Sequence, residues 1–221
     1  MRGRLSVASM RLRGFGTRPA TAVFAAIGLV LAACGSTGPP LKTYVLGAPQ
    51  IADGAADPLL GRPVIEVKRA LMPDYLDGTE ILVRGPGNLV EASRTGRWRE
   101  RLSVGATRAI ANGLSRRLPD TVVATSTPPE PAACELLLDV EAFEANASQR
   151  VSFVGQWRLL AGSANTVAGE RVSLNEPIIG AGDEAIVAAM NRAIDDLADR
   201  MAATIRELGS PCRRATRERA P

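Results

Sequence analysis

Apolar positions recur along this chain at two periods, and the points where the period changes mark out its elements. Val64-Ile65-Glu66-Val67-Lys68-Arg69 alternates closely enough to predict a strand. A shorter strand is predicted over 43–46, followed by a Gly/Ala/Pro-rich loop over 47–62. Pro73 to Gly78 reads as a turn, and segments 80–84 and 88–92 predict a hairpin around Gly85-Pro86-Gly87. Ser103 is placed to cap a helix that runs to about Leu118 and is ended by Pro119. Val104, Thr107, Ile110, Ala111, Leu114 and Leu118 fall on one face of it, and Arg108, Asn112 and Arg116 on the other. A short strand over 121–124 and a proline-rich loop over 125–133 follow.

The second half repeats the order at greater length. Segments 135–145 and 151–160 predict a long antiparallel hairpin, with Leu136, Leu138 and Val140 sharing one face of the first strand and Val151, Phe153, Trp157 and Leu159 one face of the second. A third strand is predicted over 167–174. From Gly182-Asp183 onward, Ile186, Met190, Ala193, Ile194, Leu197, Met201, Ile205 and Leu208 recur at helical spacing until Gly209 and Pro211. That stripe suits packing on a sheet or a docking surface. Strands, helix, strands, helix without an internal repeat predict an α/β sandwich with a mixed sheet and two main amphipathic helices.

The front of the chain follows a different rule. Arg2, Arg4, Arg11, Arg13 and Arg18 form a positive region with no acid, and residues 20–33 are an apolar run too short for a spanning helix, which needs about 20 residues. Leu31-Ala32-Ala33-Cys34 then looks like a bacterial lipobox, which makes 1–33 a lipoprotein signal peptide and Cys34 the acylated N-terminus; an ordinary secretory signal with a chance cysteine is the alternative. Residues 34–41 become a lipidated tether of at most roughly 25 Å. A single domain fills 42–210, and 211–221 is a basic tail, either solvated or touching anionic head groups. Acylation anchors the protein to a membrane without crossing it. By resemblance to enteric lipoproteins, Gly35 in place of aspartate points to the periplasmic face of the outer membrane.

The leader also changes the charge reading. The whole chain carries +4, but without the five leader arginines it has 22 basic and 23 acidic residues, a net charge of −1, so a nucleic-acid partner loses its support. The chain contains no histidine, which removes serine–histidine and cysteine–histidine nucleophiles and histidine-ligated zinc. Glu66, Asp74, Asp77 and Glu80 read as turn and surface residues without a catalytic pair. No catalytic residue, cofactor or metal site is expected, and the protein is not expected to be an enzyme. Beyond Cys34 two cysteines remain, Cys134 and Cys212; in an oxidising periplasm they suit a disulfide, the alternative being two unpaired thiols.

Three motifs resemble the ABC-type transport auxiliary lipoproteins, the PqiC-like family. They are Tyr44-Val45-Leu46 near the anchor, Leu71-Met72-Pro73-Asp74-Tyr75-Leu76-Asp77 followed by Glu80-Ile81-Leu82-Val83-Arg84, and Arg97-Trp98-Arg99-Glu100-Arg101-Leu102 before the first helix. Met72 separates Leu71 from Pro73 where the family has them adjacent, and Gly78 stands where a basic residue is common. The resemblance implies a three-layer α/β fold with a mixed sheet. It also implies an accessory subunit of an MCE-type intermembrane phospholipid transport system, docking an MCE-domain protein at the outer membrane, with several copies binding as a homo-oligomer where the partner is a ring. Tyr75, Leu76, Arg97 and Trp98 are candidate partner contacts, being aromatic, apolar or arginine side chains on loops; Tyr75 and Trp98 equally suit pinning those loops to the core. A periplasmic regulatory lipoprotein, such as a peptidoglycan synthase activator, is the alternative function.

Overall fold

The protein is described here by a computed structural model that covers residues 40–47, 61–127, 132–162, 165–209 and 212. The expected leader, the acylation site Cys34 and the tail from residue 213 lie outside these residues.

Among the described residues, eight strands and two α-helices follow in the order β1 (Lys42–Tyr44), β2 (Val64–Val67), β3 (Glu80–Arg84), β4 (Val90–Trp98), α1 (Leu102–Arg117), β5 (Val122–Ala124), β6 (Cys134–Asn146), β7 (Arg150–Ala161), β8 (Asn165–Pro177) and α2 (Gly182–Glu207). A single turn of 3-10 helix at Pro86–Asn88 joins β3 to β4.

The sheet is organised by β6. Its 13 residues reach about 44 Å at 3.4 Å per residue, long enough for one edge to serve two short strands end to end. Residues 65–67 of β2 pair with 134–136, Leu71 bridges to Asp139, and 83–84 of β3 pair with 145–146, all parallel. Beyond β2 lies β5, and beyond β3 lie β4 and then β1, so the sheet forks. The other edge of β6 runs antiparallel to β7 throughout, and β7 to β8. Residues 68–79 fill the fork, held by the N–H groups of Lys68 and Leu71 donating to the carbonyls of Leu136 and Leu138, each at 2.9 Å.

Alternation decides which face is covered. Leu136, Leu138, Val140, Val151, Phe153, Trp157 and Leu159 are all buried, as the period predicts. A bulge between Val140 and Ala142 resets the phase of β6, so that Phe143 and Ala145 continue the buried face. Phe143 and Phe153 sit directly opposite each other with rings edge to face, centroids 5.4 Å apart. Both helices pack on this side and touch one another. A Cβ built on Gly113 of α1 would stand 2.7 Å from the Ala198 Cβ of α2, so the crossing admits only glycine there. Arg116 and Arg117 of α1 pair with Asp195 and Asp199 of α2 at 2.7 and 2.5 Å. The outer face of the sheet carries polar pairs such as Arg171–Glu141 at 2.5 Å. The α/β class, the mixed sheet and the two amphipathic helices are as the sequence predicts.

Local departures have local causes. Ser103 does not cap α1, which begins one residue earlier, at Leu102. Val104 stands four and eight positions before Arg108 and Asn112, so it shares their outward face and is 37% exposed, while Leu102 takes an inward place. Leu208 lies past the end of α2 and is exposed, although Met190, Ala193, Ile194, Leu197, Met201 and Ile205 are buried as a stripe. Strand β1 stops at Tyr44 because the chain then turns between the helices. The Gly47 N–H donates to Asn191 Oδ1 of α2 at 2.7 Å, and Arg108 of α1 donates to the Leu46 carbonyl at 3.0 Å.

Candidate docking surface

The three motif segments meet at the start of α1. Tyr44 of β1 is registered against Trp98 of β4, and the Arg99 N–H donates to the Tyr44 carbonyl at 2.8 Å. The Trp98 N–H donates to Thr79 O at 2.7 Å, and the Leu102 N–H to Gly78 O at 3.1 Å. Three separate stretches of the chain thus form one framework, because each supplies backbone groups that the others leave open.

Asp77 is the hub. The loop turns tightly at Pro73, whose carbonyl accepts the N–H groups of Leu76 and Asp77, and this brings the Asp77 carboxylate to the helix. Its Oδ1 accepts the Ser103 N–H at 3.1 Å, and its Oδ2 faces Arg101 at 3.2 Å and Arg69 at 3.4 Å. Arg69 Nε also donates to Ser103 Oγ at 2.8 Å. Partial burial pushes the Asp77 carboxyl up, but the hydrogen bonds from Ser103 and the charges of Arg69 and Arg101 more than offset this and hold it below its ordinary 3.8. Behind it, the Ala70 N–H donates to Thr107 Oγ1 at 2.9 Å.

The four candidate contacts divide. Leu76 is 1% exposed and Trp98 3%, so neither presents a surface to a partner; both belong to the core, Leu76 beneath its turn and Trp98 at the end of strand β4, which also carries Arg97 where the sequence predicts a loop. Tyr75, at 45%, and Arg97 are exposed. Arg97 stands opposite Glu80 across the β3–β4 pair. Exposed Leu71 lies on the same loop as Tyr75.

Two residues that the sequence does not mark as contacts, Arg84 of the second motif and Glu144, complete the surface. Glu144 stands between the core residues Phe143 and Ala145, so its side chain leaves the opposite face of β6. Its Oε1 accepts from Arg84 Nε of β3 at 2.5 Å, which holds that guanidinium above its ordinary value. Arg84 Nη2 in turn donates to Tyr75 Oη at 3.0 Å, and its guanidinium lies 5.6 Å from the Tyr75 ring centroid. Arg84 and Glu144 are 60 positions apart, and no local pattern in the sequence joins them.

The acidic residues first read as surface groups are placed differently from one another. Asp74 and Glu80 are exposed, but Glu66 is 6% exposed and is met by Lys68 at 2.9 Å. Among the described residues no group of three metal-ligating side chains occurs, and no helix is long and apolar enough to cross a membrane. A cleft of about 290 Å³ opens where Pro63 and Ile65, Leu118, Ile205 and Arg206 approach Cys212. Cys212 and Cys134 stand there as a bridged pair, Cα atoms 5.2 Å apart.

Comparison with solved structures gives the same architecture. A crystal structure of an uncharacterised protein superposes with a TM-score of 0.63 at 19% identity, covering 75% of this chain and 99% of its own. A Xanthomonas campestris protein assigned to the family DUF330 superposes with a TM-score of 0.58 at 15% identity, covering 78% of this chain and 97% of its own. At such identities the likeness is one of fold. No curated protein matches the chain. The family described as ABC-type transport auxiliary lipoprotein component matches residues 44–202, a span that takes in all three motifs, the whole of α1 and most of α2, and the chain belongs to that family.

Proposed function

We propose that this protein is a periplasmic lipoprotein, anchored through acylated Cys34 to the outer membrane, that serves as accessory subunit of an MCE/ABC-type intermembrane phospholipid transport system. In this reading it performs no chemistry. The anchor holds the domain at the membrane, and the surface around Tyr75 and Arg97 grips the periplasmic end of an MCE-domain protein, several copies binding where that partner is a ring.

The observation that carries the reading is the convergence of the three motif segments. Buried Leu76, Trp98 and Leu46 fix the framework, while Tyr75, Leu71 and Arg97 stand exposed on it. An exposed aromatic on a loop held by a rigid frame, with the Arg84 guanidinium 5.6 Å from its ring centre, has the composition of a protein-binding hot spot.

The test is crosslinking of the lipidated protein in intact cells, purification from the membrane fraction, and identification of partners by mass spectrometry. The expected partner is an MCE-domain protein. Recovery of a cell-wall synthase without any MCE protein would overturn the reading in favour of a synthase activator. The mass of the Cys34 peptide reports acylation independently of any partner.

A further inference from the structure

We propose that Glu144 is a positioning residue of the docking surface: through Arg84 it fixes Tyr75 in place, with the tyrosine hydroxyl proton left to donate to a backbone carbonyl of the partner. This rests on the docking reading above and specifies its contact.

The starting point is a buried carboxylate with an incomplete set of partners. The Glu144 side chain is 3% exposed, and its Oε2 has no hydrogen-bond partner among the described residues. Burying such a group costs stability, and an ion pair of this kind is replaced by apolar side chains at little loss in many folds. Stability therefore does not account for it. Geometry does. With Arg84 Nε engaged by Glu144, the guanidinium plane is set, and Nη2 is directed to Tyr75 Oη at 3.0 Å while the cation lies 5.6 Å from the centre of the ring. A tyrosine 45% exposed is thus held at both its ring and its hydroxyl. A contact ordered before docking loses less side-chain freedom when the partner arrives.

The same arrangement indicates what the partner offers. Tyr75 Oη accepts from Arg84, and its own proton donates to no described residue. Glu144 neutralises Arg84, so the surface presents a donor without net charge at this point. A neutral acceptor, the backbone carbonyl of a loop or strand edge, fits better than a carboxylate. Leu71, 67% exposed on the same loop, supplies apolar area to be covered beside it.

The chain has two tyrosines, Tyr44 and Tyr75, so ring-carbon-labelled protein gives a readily assigned NMR spectrum. The paired change Arg84→Met with Glu144→Leu replaces the ion pair by apolar side chains without leaving a buried charge. We expect this variant to melt near the wild-type temperature while the Tyr75 ring signals show the averaging of a free surface tyrosine. Unchanged Tyr75 relaxation in that folded variant would overturn the positioning role. Tyr75→Phe keeps the ring and removes the donor, and capture of the crosslinked partner should fall by on the order of tenfold, the loss of one good hydrogen bond. The Tyr75 contact itself matches no net charge, so the difference in capture between wild type and Tyr75→Phe should be the same at low and at raised salt. Undiminished capture by Tyr75→Phe, or a difference between the two proteins that vanishes as salt is raised, would overturn the neutral-acceptor contact. Should the captured protein lack an MCE domain yet depend on the Tyr75 hydroxyl, the transport assignment falls and this contact stands.

Discussion

Asp77 caps helix α1 from outside the helix. Its Oδ1 accepts the backbone N–H of Ser103, 26 positions on, at 3.1 Å, and so takes the place that a side chain at the helix's own first residue ordinarily fills. Arg101, at the N-cap position, makes no side-chain cap bond. A negative charge at this end also meets the positive pole of the helix. The loop that presents Tyr75 is therefore tied to the first turn of α1, and its conformation is coupled to that helix.

Removing the cap should cost stability. Asp77→Ala is expected to destabilise by about 1 kcal/mol, the usual cost of losing an N-cap acceptor, which lowers the melting temperature of a chain of this size by about 2–4 °C. Thermal unfolding by circular dichroism measures this. A melting temperature equal to wild type would show that the Ser103 N–H is satisfied in another way.

The same carboxylate should appear in the acid limb of stability. Its folded-state pKa lies below its ordinary value of 3.8, so its contribution is present above that value and is lost as pH falls through the lower folded-state value. Arg69 and Arg101 are more than half exposed, and salt screening makes the charge part of this contribution small. Asp77→Asn, which keeps an acceptor for Ser103 but cannot titrate, should lose less stability than wild type between pH 4 and pH 2. Parallel acid-unfolding curves for the two proteins would remove Asp77 from the account.

How far the sequence foretold this arrangement depends on the range of the forces involved. Periodicity located both helices and nearly every strand, because burial of alternate or every third and fourth residue is written locally. The sequence points to Ser103 as the cap because it lies beside the helix, whereas the group that caps is Asp77, supplied by a distant turn. Strand β1 ends at Tyr44, two residues before the pattern predicts, because Leu46 and Gly47 are captured by Arg108 and Asn191, on two helices far along the chain. Leu76 and Trp98 had the composition of contact residues and proved to be buried. Arg84 and Glu144 carry no local signal, since parallel pairing of β3 with β6 alone makes them neighbours.

Trp98 separates a structural residue from a contact residue. At 3% exposure its truncation to alanine should cost about 3–5 kcal/mol, the range for a large buried aromatic. The melting temperature should fall accordingly. Loss of partner capture at an unchanged melting temperature would return Trp98 to the interface.

Gly47 should tolerate no side chain. Its φ of +74° lies in the left-handed region, and a Cβ there would stand 2.7 Å from the Ala109 Cβ of α1. Backbone strain contributes about 1–2 kcal/mol and the clash about 1–3 kcal/mol. Gly47→Ala should therefore melt well below wild type. A melting temperature within a degree of wild type would mean that the segment after β1 is free to move away from the helices.

The cysteine pair gives the last expectation. Cys212 follows α2 and Cys134 opens β6, 78 positions earlier, so a bond between them ties the end of the second helix to the first residue of the central strand. Closing a loop of that length stabilises by about 4 kcal/mol in the chain-entropy model, through restriction of the unfolded chain. Both sulfurs are shielded, with Cys134 at 1% and Cys212 at 5% exposure, so a reductant should act slowly on the native protein and quickly once it unfolds. Cys134→Ser with Cys212→Ser should lower the melting temperature. Wild type melted in reductant should match that variant, and the variant itself should be insensitive to reductant. Thiol labelling of unreduced, denatured protein should find neither cysteine reactive. Labelling of both would leave two buried thiols at this place and predict that the serine variant loses only their packing.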